Sequence, residues 1–135
     1  MNNKQLTALA VGVPVALIAV GSVATYRASV HEQICLSYEN QGKLELISMR
    51  KTLTEMNSAL AEISQNPFAA FAYLPMMPSW KEKADVHAKK ANDWRYAYSK
   101  TCGAERRDKF VSTPEVVDHM AQITFLNNTI QSYQF

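Results

Sequence analysis

The chain has 135 residues, of which 47% are hydrophobic and 19% charged, and it holds only four glycines and five prolines. These values are typical of one modest domain and exclude a large multidomain enzyme as well as a disordered or fibrous chain. The formal net charge of +2 is too small for the electrostatic attraction to phosphates on which nucleic-acid binding depends. DNA and RNA are therefore not expected partners.

The first distinctive feature is an uncharged run between Lys4 and Arg27. Residues 6–26 are mainly Leu, Ala, Val, Ile and Gly, and about twenty helical residues cross the roughly 30 Å hydrocarbon core of a bilayer. Pro14 is compatible with such a helix, because membrane helices tolerate proline. The sequence therefore predicts a single N-terminal transmembrane helix at 6–26 that contacts the lipid bilayer, after a short cytoplasmic segment at 1–5.

A cleaved signal peptide is the alternative interpretation of the same run. Lys4 would supply the positive region, and the small residues of 22–24 resemble a cleavage site that ends at Ala24. The apolar run is longer than the roughly 7 to 15 residues usual in a signal peptide, and Tyr26 is typical of an interfacial anchor, so the transmembrane interpretation is favoured. Both interpretations place residues 27–135 outside the cytosol, in the periplasm or an equivalent compartment.

The two cysteines of the chain, Cys35 and Cys102, both fall in this extracytoplasmic part. An even pair in an oxidising compartment predicts one disulfide, and two separate buried thiols are the alternative. The bond would close a loop of about 66 residues, which stabilises a fold by about 4 kcal/mol in the chain-entropy model.

The next stretch, Glu32 to Gln65, contains no proline and a single glycine, Gly42. Its apolar residues recur at alternating spacings of three and four, which is the heptad pattern of a packed helix. Asn66 and Pro67 end this predicted helix, because the residue before a proline is pushed out of the helical region. The helix-packing residues are Leu46, Met49, Leu53, Met56, Leu60 and Ile63.

A second helix is predicted over Trp80 to Lys100. Ser79 and Glu82 have the spacing of a capping box at its start. Its seam also alternates between four and three, and large residues alternate with small ones, as a close interhelical contact requires. The packing residues here are Trp80, Ala84, His87, Ala91, Trp94 and Tyr98.

The third predicted helix begins with Thr113 as N-cap and Pro114 at the first helical position. The complete prediction is an all-α fold: one N-terminal transmembrane helix, then an extracytoplasmic antiparallel helical hairpin and a third helix. A hairpin of these lengths leaves the two cysteines about 10 Å out of register along the helices. A break at Gly42 or an uneven loop would have to absorb that difference.

The connection between the first two helices, residues 66–79, is named the apolar loop. It carries no charge and many large apolar side chains, whereas loops are normally polar, and such surfaces usually mark a contact site. The expected partner of residues 66–80 is another membrane or envelope protein; packing onto the chain's own bundle and contact with lipid are the alternatives. The predicted partner-binding residues are Phe68, Phe71, Tyr73, Leu74, Met76, Met77 and Trp80.

The polar residues do not form a recognised metal-binding or catalytic motif. His31 and Cys35 are four apart and could share a helix face as metal ligands, but His87 and His119 stand at no recognised spacing from them, so neither a metal nor another cofactor is expected. Asp118 beside His119 lacks a nucleophile placed by a turn motif. No catalytic residue is predicted.

The sequence therefore predicts a non-enzymatic, membrane-anchored subunit or scaffold and assembly protein that acts by protein–protein contact. The alternative function is a secreted helical binding module, an inhibitor or ligand sensor released by cleavage at Ala24, with a pocket near Trp80, His87 and Trp94. A third hypothesis is a homo-oligomer that uses the heptad seams to bind other copies of the chain.

Overall fold

The computed structural model describes residues 13–133, and it describes side chains from residue 25 onward. Every regular element in that part of the chain is helical, so the all-α prediction is confirmed. The helices are α1 (Val13–Gln65), α2 (Ala70–Tyr73), α3 (Met77–Cys102), α4 (Ala104–Val111) and α5 (Pro114–Ser132), with 3-10 turns at Pro67–Ala69 and Leu74–Met76.

The chain divides into two compact units, with the boundary between Tyr38 and Glu39. The described residues of the first unit all belong to the N-terminal part of α1. The predicted transmembrane segment, 6–26, falls mostly outside the residues whose side chains are described. Among the described residues, no helix is both long enough and apolar enough to cross a membrane, so the anchor stays a prediction from the sequence.

The second unit, Glu39–Phe135, is a helical hairpin with two further helices. α1 and α3 run antiparallel in it, because Glu39 of α1 contacts Tyr98 of α3, whereas Leu60, further along α1, packs near Trp80 at the start of α3.

Two neighbouring clusters form the core of this unit. In one, Leu53 of α1 packs against Ile123 and Leu126 of α5. In the other, Met56, Ala59 and Leu60 of α1 pack against Trp80 of α3. The buried side chains of the first seam therefore lie inside the bundle of a single chain, where they are not accessible to another copy.

The start of α3 differs from the prediction. The helix begins at Met77, with Met76 as an N-cap that makes no side-chain hydrogen bond, so Ser79 lies within the first turn and the predicted capping box is wrong. The physical reason is Pro78, since proline suits the first turn of a helix and allows it to begin earlier. The start of α5 agrees with the prediction, because Thr113 is an N-cap with extended backbone and Pro114 is the first helical residue.

Gly42 does not break the first helix, which continues through it. Its backbone instead lies against the indole ring of Trp94: a Cβ atom at position 42 would stand 2.5 Å from Cζ2 of Trp94. The glycine thus permits a close approach of α1 and α3. The short turns of 67–76 connect the two arms of the hairpin.

Candidate contact surface

The apolar loop is a series of short helical turns. The side-chain oxygen of Asn66 accepts a hydrogen bond from the backbone N–H of Phe68 at 3.2 Å and thereby caps the first turn. Pro67 stands at the start of this turn, where its missing N–H has no cost. The segment is therefore held in a defined conformation by its own local chemistry.

One side of the loop packs onto the bundle. Tyr73 and Met77 contact the cluster that contains Met56 and Trp80, and the rings of Tyr73 and Trp80 lie 6.4 Å apart. Glu62 raises the pKa of Tyr73, first by a side-chain hydrogen bond and then by its charge. Trp80 is only 7% exposed, so it packs in the core, as the second seam predicts, and is not part of the exposed side of the loop.

The other side of the loop faces solvent. Phe68 is 78% exposed and Phe71 is 82% exposed, and Leu74 and Met76 are also exposed. The predicted partner-binding residues therefore divide into a group that packs on the bundle and a group that is exposed. We name the exposed group, Phe68, Phe71, Leu74 and Met76, the loop surface. Large apolar side chains grouped on an ordered surface are typical of a site that binds a partner.

Large apolar side chains are also exposed elsewhere in the second unit. Individual apolar residues on a protein surface are common and need no functional explanation. These positions are Leu44, Ile47, Val86, Tyr96, Val117, Met120 and Phe125.

The far end of the hairpin from the loop holds an aromatic cluster. Trp94 stacks on Tyr98 with ring centroids 5.1 Å apart, and Phe110 of α4 lies against both rings at 5.6 and 5.9 Å. Trp94 and Tyr98 were predicted from the second seam. Phe110 was not, because it follows the seam by twelve residues and no periodic pattern connects it to α3.

A carboxylate joins three helices beside this cluster. The Tyr98 hydroxyl donates a hydrogen bond to Glu39, and Arg106 of α4 donates from Nε at 2.9 Å and from Nη2 at 3.3 Å to the same carboxylate. A paired guanidinium–carboxylate contact is among the stronger hydrogen-bonded arrangements in proteins. Burial, and then the hydrogen bond and charge of Glu39, raise the pKa of Tyr98 to about 12.

The raised Tyr98 pKa predicts a loss of stability in alkali. The ordinary phenol pKa is 10.0 and the folded-state value is about 12, so the contribution of Tyr98 is complete below pH 10 and disappears as the pH rises from 10 to 12. We expect a loss of about 2 kcal/mol over that interval, since one pKa unit corresponds to about 1.4 kcal/mol. Urea unfolding at a series of pH values measures it.

Tyr98→Phe is the matched control for this titration, because it removes the titrating hydroxyl, keeps the ring and leaves the pair of Glu39 with Arg106 in place. The difference in unfolding free energy between the two proteins should shrink between pH 10 and 12. A difference that stays constant over this interval would contradict the raised pKa.

Histidines in the second unit take part in contacts between helices. His87 Nδ1 lies 2.8 Å from Glu45, and His119 Nδ1 lies 3.3 Å from Arg50, which also pairs with Asp118 at 3.5 Å. These contacts give both histidines a structural explanation within the second unit.

Both cysteines are disulfide-bonded. Since the chain holds two cysteines, the bond joins Cys35 to Cys102, and the disulfide prediction is confirmed. His31 Nε2 lies 3.7 Å from the Cys35 sulfur, but a cysteine binds a metal through its thiolate, and a cysteine in a disulfide has none. The histidine–cysteine pair of the metal hypothesis is therefore not a metal site in this oxidised form.

No protein-family model matches the chain, and no match was found among the curated proteins or the solved structures.

Proposed function

We propose that this protein is a non-enzymatic, membrane-anchored subunit or assembly protein that binds another membrane or envelope protein through the loop surface. The observation that carries the proposal is the exposure of Phe68 and Phe71 on an ordered segment. Two exposed phenylalanines so close in sequence would cost solubility unless a partner covers them. The anchor is the uncharged run at 6–26.

A protein partner fits this surface better than a lipid headgroup does. Residues 63–80 carry no basic side chain, whereas binding to anionic lipid is typically supported by clustered lysines or arginines. The chain's own bundle uses Tyr73, Met77 and Trp80 and leaves the two phenylalanines uncovered. The partner should therefore present an apolar groove that accepts two aromatic rings, since aromatic anchors dominate many protein interfaces.

Photo-crosslinking in the native membrane tests this proposal. The full chain would carry benzoylphenylalanine in place of Phe71, and illumination should produce one discrete, protease-sensitive adduct of higher mass. Phe68→Ser in the same chain should lower the adduct yield at least tenfold, because burial of a phenylalanine contributes about 1.5 to 3 kcal/mol.

Phe125 provides the matched control position. It is a phenylalanine on α5, 63% exposed, and lies outside the loop surface. Benzoylphenylalanine at position 125 should give no such adduct. Equal adducts from both positions, or an adduct at position 71 that consists only of lipid, would contradict the proposal.

A further inference from the structure

The second unit contains a cavity at the level of the aromatic cluster, bordered by α1, α3, α4 and α5. Its volume is about 220 Å³, and most of its lining is apolar. The apolar part of the lining includes Gly42, Leu46, Trp94, Phe110, Val116 and Met120.

The cavity is partly open to solvent, because Arg95 and Met120 of its lining are exposed, whereas Phe110 and Val116 are buried. An apolar cavity of about 150 Å³ is already large enough to bind benzene. The volume beside Trp94 therefore has room for a molecule of one or two rings.

The lining combines small residues with large aromatic ones. Gly42 contributes only backbone to the wall, and the indole of Trp94 lies directly against it. Ala91, one helical turn before Trp94, also lines the cavity with a single methyl group. Trp94 and Phe110, whose ring centroids are 5.6 Å apart at an angle of 58°, supply aromatic faces and edges for a ring to contact.

The charged residues of the lining indicate an uncharged ligand. Glu45 and Arg95 both border the cavity and have opposite signs, so together they give no net attraction for an anion or a cation. Glu45 is moreover already paired with His87 at 2.8 Å. A charged ligand would lose its hydration on entry and gain no unpaired buried partner of opposite sign.

We propose that this cavity binds one uncharged, compact apolar molecule of one or two rings, held between Trp94 and Phe110. The site is separate from the loop surface. The two proposals share no residue, so one can fail while the other holds.

Tryptophan fluorescence tests the site, because the chain has two tryptophans and only Trp94 borders the cavity. The probe is bromobenzene, whose heavy atom quenches indole emission on contact. In the Trp80→Phe chain, quenching of Trp94 should saturate with one bromobenzene per chain. In the Trp94→Phe chain, quenching of Trp80 should show no saturable component.

Filling the cavity should abolish this binding. Ala91→Leu places a larger side chain in the lining and should weaken bromobenzene binding at least tenfold, whereas Ala88→Leu, an exposed position on the same helix, should leave it unchanged. Circular dichroism establishes that each variant is folded. If Ala91→Leu does not fold, Val111→Phe at another lining position takes its place.

The charge of the ligand is tested with 4-bromobenzoate, which should bind at least tenfold more weakly than bromobenzene. Three results would overturn the proposal: quenching of Trp94 that rises linearly without saturation, equal binding by the Ala91→Leu and Ala88→Leu chains, or binding of 4-bromobenzoate as tight as that of bromobenzene.

Discussion

Leu53→Asp should strongly destabilise the helical bundle. Leu53 is 3% exposed and packs against Ile123 and Leu126 of α5. An aspartate there removes a buried apolar side chain and places a carboxylate among apolar groups, which together cost at least about 4 kcal/mol. Since small domains are typically stable by about 5 to 15 kcal/mol, this cost is a large part of the total stability. Circular dichroism and a urea titration measure the effect.

Leu44→Asp is the matched control on the same helix. The residue type and the substitution are identical, but Leu44 is 63% exposed, so its change should stay within about 0.5 kcal/mol of the original chain. If Leu53→Asp and Leu44→Asp melted at the same temperature, Leu53 would not lie in the core and the packing of α1 against α5 would be wrong.

The position of Leu53 could be predicted from the sequence because heptad spacing is a local property. Alternation of three and four keeps apolar residues on one helix face, and that face of α1 carries Leu53, Met56, Leu60 and Ile63, all of them buried. The pattern does not identify what covers the face. The two helices that do so, α3 and α5, become known only from the folded chain.

The start of α3 and the existence of α4 were harder to predict from the sequence. The start of α3 has two competing local signals, Ser79 and Pro78, and the proline determined the outcome. α4 spans eight residues and holds charged side chains on much of its length, so it has no apolar period to detect. Its burial depends on Phe110 reaching the rings of Trp94 and Tyr98, a contact between distant parts of the chain.

For the apolar loop, composition predicts the apolar surface but not which side chains are exposed. Its apolar composition was plain from the sequence, yet Phe71 and Tyr73 stand two residues apart and have opposite environments, one exposed and one packed on the core. Their separation depends on the helical turns of the loop, which composition does not specify. The pairing of Glu39 with Arg106, 67 residues apart, was likewise beyond reach of any local pattern.

Loss of the disulfide should produce the second large effect. Cys35→Ser, Cys102→Ser or full reduction should each lower the free energy of unfolding by about 4 kcal/mol, because the bond closes a loop of about 66 residues and so restricts the unfolded chain. The melting temperature should fall by more than 10 °C, since 1 kcal/mol shifts the melting temperature of a domain of this size by about 4 °C or more. Thermal unfolding followed by circular dichroism, with and without dithiothreitol, measures the change.

The double variant Cys35→Ser/Cys102→Ser separates the bond from the side chains. If the stabilisation acts through the unfolded chain, the double variant should melt with the reduced protein, and dithiothreitol should no longer affect it. Intact mass establishes the redox state in each sample, because reduction of one disulfide adds two protons and two electrons. A reduced protein that carries two free thiols and still melts with the oxidised one would show that the closed loop does not stabilise the fold. The stability would then have to come from the contacts between helices.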